Sequence, residues 1–168
     1  MEREGSQVDL FIAVLVRFPQ IATIHYDPET NALRLAFLLR GAQQDFSNFV
    51  RRFESHLTLF HNLRGDDVTV ASLRKTDTGE LTAIEVVRDL PSISLSEFNL
   101  IVELVSDYYG DAVIREGQQM AGDDEFEQNL LIEALLMAST SRSRERLTGF
   151  RENGRVLVFS VPLGVRES

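Results

Sequence analysis

The strongest constraint on the fold is a strand-turn-strand-helix pattern that occurs twice in succession, at residues 21–60 and 68–109. In each copy, apolar residues first alternate with polar ones and then recur every three or four positions, which are the periods of a half-buried strand and an amphipathic helix. Units of this kind bury their apolar faces by packing helices on a sheet. The sequence therefore predicts an α+β fold of antiparallel β-hairpins packed with helices.

The first unit has strands at residues 21–26 and 32–39, joined by a turn that contains Pro28 and Asn31. Proline presets one turn dihedral, and asparagine tolerates the left-handed conformation. The helix that follows carries one continuous apolar stripe at helical spacing, formed by Phe46, Phe49, Val50, Phe53, Leu57 and Phe60. This stripe is expected to be core.

The second unit has strands at residues 68–74 and 80–88 and a helix that opens with Ser94 and Glu97, the spacing of a capping box. Thr78-Gly79-Glu80-Leu81 lies 48 positions after Thr30-Asn31-Ala32-Leu33. An internal duplication explains this offset, and so does the turn chemistry that unrelated hairpin-helix units share. The sequence leaves both explanations open.

The flanking segments complete a single domain over residues 1–168, with units at about 20–63 and 66–110 and a helix plus hairpin at about 123–162. Residues 7–18 are predicted to form a short buried helix, with a β-strand as the alternative because residues 10–16 are all apolar. Asn153-Gly154 is a strong hairpin signal near the C-terminal end. Residues 112–116 could add a further strand.

Residues 130–138 are apolar on nearly every side of the predicted C-terminal helix, with Glu133 as the one charge. A helix of this kind is normally buried all round, either under the sheet or in a subunit interface. We therefore predict a homodimer that forms through this helix, or through an exposed hairpin edge. The candidate interface residues are Leu131, Ile132, Leu135, Leu136 and Met137.

The formal net charge of −9 disfavours binding to nucleic acid and to anionic membranes. Residues 140–168, however, contain six arginines and three glutamates, a net charge of +3, which leaves −12 for the rest of the chain. This basic strip is the candidate anion-binding site, and binding of nucleic acid or of a phosphate group is the alternative function. Its residues are Arg142, Arg144, Arg146, Arg151 and Arg155.

The three histidines do not form a recognisable metal-binding or catalytic motif. His56 and His61 are five positions apart on one predicted helix, whereas helical metal ligands are spaced by three or four. The only pairing expected is that of His61 with Asp66 or Asp67. We predict no catalytic, cofactor-binding or metal-binding residues, and a small enzyme with a His/Asp site is a second alternative.

The sequence contains no cysteine, which excludes disulfides and thiolate sites and is compatible with the cytosol. The apolar residues 8–16 are too few to span a bilayer, and acidic residues precede them, unlike in a signal peptide. The expectation is a cytoplasmic, acidic, non-catalytic protein that self-associates and acts as an interaction or regulatory protein.

Overall fold

The computed structural model describes residues 2–43, 45–139 and 144–162. The described part of the chain contains four α-helices and six strands, and it confirms the predicted α+β class with an antiparallel sheet. None of the described helices is both long and apolar enough to cross a membrane. The elements in chain order are α1 (Glu2–Arg17), β1 (Thr23–Asp27), β2 (Ala32–Arg40), α2 (Phe46–Arg64), β3 (Ala71–Asp77), β4 (Leu81–Asp89), α3 (Leu95–Tyr109), α4 (Gly122–Ala138), β5 (Glu145–Glu152) and β6 (Arg155–Pro162).

The sheet has the strand order β3-β4-β2-β1-β5-β6, with every neighbouring pair antiparallel. The two predicted hairpins meet along a nine-residue β2–β4 ladder, in which Leu33 pairs with Arg88 and Arg40 pairs with Leu81. The C-terminal hairpin adds to the outer side of β1. Arg88 lies 48 positions after Arg40, but Arg40 is exposed whereas Arg88 is buried, so duplication of the two units remains a prediction.

The core lies between one face of this sheet and the four described helices. Alternate strand residues such as Leu35, Phe37 and Val86 point into it and join buried residues of all four helices in one hydrophobic cluster. Residues of the opposite register, including His25 and Arg34, are only half-buried, so the other face of the sheet is open. Gly149 allows α1 to approach β5, because a Cβ atom there would lie 3.1–3.4 Å from side chains of Ile24, Leu15 and Phe11.

Several local predictions change in the structure. Helix α1 runs from Glu2 to Arg17, so the predicted segment 7–18 is helical up to Arg17 rather than extended, and the helix begins earlier than predicted. Residues 112–116 form no strand, and Val113 makes only an isolated bridge with Leu39. The Ser94 cap is confirmed, since its hydroxyl accepts a hydrogen bond from the backbone N–H of Glu97 at 3.2 Å.

Helix α4 is not buried all round within this chain. It packs on α1 and α3 through one side, where Arg17 donates from Nε to Asn129 at 2.9 Å and from Nη2 to Asn99 at 3.2 Å. Only Ile132 and Leu136 of this helix are buried. The apolar circumference predicted burial either under the sheet or in a subunit interface, and the contacts with α1 and α3 cover only one side, so complete burial within this chain was wrong. Burial in a subunit interface stays a prediction.

Candidate functional site

The outer face of α4, defined here by Phe126, Leu130, Leu131 and Met137, is the densest group of exposed apolar side chains. Their exposed fractions are 63%, 51%, 46% and 79%. Phe126, Leu130 and Met137 share one stripe because steps of four and seven residues return to the same side of a helix. Of the ten large hydrophobic side chains that are exposed in the described residues, these are four.

The predicted interface residues divide between the two sides of α4. Leu131 and Met137 lie on the exposed side and Leu135 is half-buried, whereas Ile132 and Leu136 face the core. A second chain can therefore contact the first two but not the last two. Phe126 and Leu130 were not among the predicted residues, although the same helical spacing would have identified them once the buried side was known.

The predicted basic strip does not form one surface. Arg144 and Arg155 are exposed, and Arg146 makes an ion pair of 3.2 Å with Glu29. Arg142 lies outside the described residues. Alternation along the hairpin puts Arg151 on the core face and Arg146 and Arg155 on the other face, and Arg155 lies at the far end of the hairpin, where it pairs with Glu152.

Arg151 binds the protein's own backbone, so its guanidinium group is not free to bind an external anion. Its guanidinium donates hydrogen bonds to the backbone carbonyl oxygens of Leu15 and Ile21, and to that of Phe18 at 2.8 Å. Desolvation lowers the pKa of Arg151, and the charge of Glu116 opposes that shift. Carbonyl groups at the end of a helix lack partners within it, so Arg151 caps the C-terminal end of α1.

A buried ionic cluster, consisting of Arg88, Glu97, Asp89 and His61, joins β4 to α2 and α3. Arg88 forms a two-pronged ion pair with Glu97, from Nε to Oε2 and from Nη2 to Oε1 at 2.8 Å. Its Nη1 atom contacts Asp89 and donates to the Val70 carbonyl at 3.1 Å. Desolvation acts to lower the pKa of Arg88, but Glu97 and Asp89 outweigh it and raise that pKa.

His61 completes this ionic cluster at its outer side, because its Nε2 atom lies 2.8 Å from Oε1 of Glu97. The sequence had assigned Glu97 to helix capping, but its carboxylate turns inward to Arg88 and His61 while only its backbone N–H meets Ser94. No local signal in the sequence distinguishes these two roles of Glu97. The burial of Arg88, near the end of β4 on its core-facing side, was equally hidden.

A cavity of about 300 Å³ lies beside the ionic cluster, between α2 and the β3–β4 hairpin. His61 and Arg88 line it together with the apolar side chains of Phe53, Leu57 and Leu73. Glu54, Thr58 and Ser72 also line it, so the walls are about equally polar and apolar, whereas small-ligand sites typically have mostly apolar walls. The other histidines lie elsewhere, since His25 contacts Thr148 on the open sheet face and His56 contacts the Arg52 carbonyl.

Asp89 ties the ionic cluster to the start of β3. Its carboxylate accepts from the backbone N–H groups of Thr69 at 3.2 Å and Val70 at 3.1 Å, and from the hydroxyl of Ser92 at 2.6 Å. Burial acts to raise the pKa of Asp89, but these hydrogen bonds and the charge of Arg88 outweigh it and hold the pKa below its usual value near 3.8.

Replacement of Asp89 by asparagine should therefore destabilise the protein in a pH-dependent way. A group whose pKa is lower in the folded state than in the unfolded state stabilises the fold at pH values above its unfolded-state pKa. This stabilisation is lost as the pH falls through the folded-state pKa. At pH 7 we expect a loss of about 1.5–3 kcal/mol, the usual contribution of hydrogen bonds to a charged group. Urea unfolding of the wild type and of Asp89→Asn, at pH 7 and at lower pH values, measures this loss. The difference in unfolding free energy between the two proteins should become smaller below about pH 4, and a difference that does not change with pH would contradict the prediction.

No protein-family model, curated protein or solved structure matches this chain.

Proposed function

We propose that this protein is a cytosolic, non-catalytic interaction protein that acts as a homodimer formed through the outer face of α4. The observation that carries the proposal is the exposure of Phe126, Leu130 and Leu131 on the side of the helix opposite to Ile132 and Leu136. Contiguous apolar surface on a soluble domain typically marks an interaction site. The absence of cysteine fits a cytosolic location.

A second copy of the chain is the partner that the charge pattern of α4 favours. The helix starts with Asp123, Asp124 and Glu125, and the exposed Arg144 follows its C-terminal end. In a two-fold interface residue i of one chain contacts residue j of the other, and j contacts i. A two-fold axis perpendicular to α4 would make the two α4 helices antiparallel. The acidic first turn of α4 in each chain would then lie beside Arg144 of the other chain.

The neighbouring helix offers additional apolar surface for such an interface. Ile12 and Val16 of α1 are exposed at 38% and 42%, and α1 packs against α4. A stable interface buries about 800 Å² on each subunit, whereas α4 is only about 25 Å long at 1.5 Å per residue. The proposal therefore includes α1 in the interface together with the outer face of α4.

The test is the molar mass in solution of Leu130→Glu and of a matched control, Leu59→Glu. Leu59 is exposed at 58% on α2, close to the 51% of Leu130 on α4. A central apolar contact contributes about 2 kcal/mol or more, so the dimer dissociation constant of Leu130→Glu should rise by at least about 30-fold. Light scattering on a size-exclusion column and analytical ultracentrifugation measure the mass.

We expect the wild type and the Leu59→Glu variant to be dimers. The Leu130→Glu variant should be a monomer with the circular dichroism spectrum of the wild type. A strictly monomeric wild type at micromolar concentration would reject the proposal. A dimer that survives Leu130→Glu would also reject it, and would direct attention to β6, which is an edge strand with an exposed Phe159.

A further inference from the structure

Three side chains that could bind a metal ion, one histidine and two carboxylates, lie close together at the outer end of the ionic cluster. One imidazole nitrogen of His61, one carboxylate oxygen of Asp66 and one of Glu97 all lie within 4.8 Å of one another. They come from the last turn of α2, from the loop after it and from the first turn of α3. Folding therefore brings together three ligands that no short sequence motif contains.

The charge balance around these three residues favours a cation. The carboxylates of Glu97, Asp89 and Asp66 face two guanidinium groups, those of Arg88 and Arg64. One negative charge therefore remains if His61 is neutral. Glu97 and Asp89 are almost completely buried, where an unbalanced charge is costly because the surroundings solvate it poorly.

We infer that His61, Asp66 and Glu97 form a binding site for a divalent zinc ion. Zinc takes imidazole and carboxylate ligands at about 2.0–2.2 Å and is commonly held by three protein ligands with a fourth position left for water. Two ligand atoms on one tetrahedral zinc ion lie about 3.3 Å apart, so the 2.8 Å between Nε2 of His61 and Oε1 of Glu97 would have to lengthen by about half an ångström. Zinc would replace the proton that now lies between these two atoms.

The remaining adjustments are small. Arg88 donates to both carboxylate oxygens of Glu97, including the Oε1 atom that His61 contacts, and so fixes the orientation of this carboxylate, as outer partners of metal ligands commonly do. Asp66 is held by an ion pair of 3.2 Å with the partly exposed Arg64. Surface ion pairs contribute little free energy, so Asp66 can turn toward the metal. His61 also lines the cavity of about 300 Å³, which brings solvent to this one ligand.

The test is a calorimetric titration of the chelator-stripped full chain with zinc alone, and with cobalt, whose visible absorption reports a tetrahedral site. We expect one zinc ion per chain and a metal-dependent rise in melting temperature. His61→Ala and Asp66→Asn should weaken binding by at least roughly 10–100-fold, the loss that even outer partners of a metal site produce. His56→Ala is the matched control, because His56 lies on the same helix and contacts only the Arg52 carbonyl in the described structure.

Asp66→Asn keeps the size of a loop side chain and leaves the buried Glu97–Arg88 pair intact, so it tests the site even if His61→Ala folds poorly. Saturable binding that is lost in Asp66→Asn and retained in His56→Ala supports the inference. No saturable zinc binding by the wild type would overturn it, as would equal affinity of wild type and Asp66→Asn. Dimer formation through α4 does not enter this measurement, so either proposal can fail alone.

Discussion

Glu97→Ala is expected to lose about 3–5 kcal/mol of unfolding free energy, the cost of leaving one buried charge without its partner. Arg88 is almost completely buried and directs Nε and Nη2 at the two carboxylate oxygens of Glu97. Alanine would leave this guanidinium with Asp89 as its only anionic partner in the ionic cluster. Since each kcal/mol shifts the melting temperature of a domain of this size by about 2–4 °C, the melting temperature should fall by roughly 10 °C.

Urea unfolding in buffer that contains a chelator measures this loss without any contribution from bound metal. Glu103→Ala is the control, because Glu103 is exposed on the same helix and should change stability by less than about 0.5 kcal/mol. Glu97→Gln keeps the size of the side chain but removes its charge, and should show most of the loss. A Glu97→Gln variant as stable as the wild type would show that packing, and not charge, is what Glu97 contributes.

Arg151→Ala should show the second largest effect, a loss of about 2–3 kcal/mol, which is about the contribution of one hydrogen bond from a charged group. The loss should stay below the sum over three bonds because Arg151 is only half-buried and water can replace part of its hydrogen bonding. One guanidinium group serves the carbonyl oxygens of Leu15, Phe18 and Ile21, so its removal leaves the C-terminal end of α1 uncapped. Arg151→Lys should recover little of the loss, since an ammonium group cannot reproduce the planar fork of donors. Chemical denaturation measures both variants.

Arg155→Ala is the matched control for Arg151→Ala, because Arg155 lies on the same hairpin but is exposed. It should change the unfolding free energy by less than about 0.5 kcal/mol. This comparison also separates the two roles considered for Arg151. Unchanged stability of Arg151→Ala together with weaker binding to an anion would contradict the capping role and restore the predicted anion site.

Most secondary structure could be predicted because it depends on residues a few positions apart. The apolar stripe of α2 and the cap at Ser94 follow from helical spacing. The turn at Asn153 and Gly154 follows from their positive φ angles, which asparagine and glycine tolerate. Element boundaries were less predictable, as the earlier start of α1 at Glu2 shows. Helix ends depend on long-range packing as well as on local signals.

The candidate sites were less predictable because the same residue type has different roles in different surroundings. Glu97 matches a capping box in sequence, yet its carboxylate binds Arg88 across the core. Arg151 belongs to a basic strip in sequence, yet it binds the backbone of α1 more than a hundred residues earlier in the chain. Proximity along the chain suggested only that His61 lies near Asp66 or Asp67, and it could not have added Glu97 to this group.

The sequence by itself determined the α+β class, the two hairpin-helix units and the C-terminal hairpin, because periodicity and turn chemistry act over a few residues. Only the tertiary structure decided the strand order, the open face of the sheet and which side of α4 is exposed. It also decided that Arg88, Glu97 and His61 meet. These outcomes depend on contacts between residues far apart in the chain. The burial and the charged neighbours of each such residue depend on how the helices and strands pack.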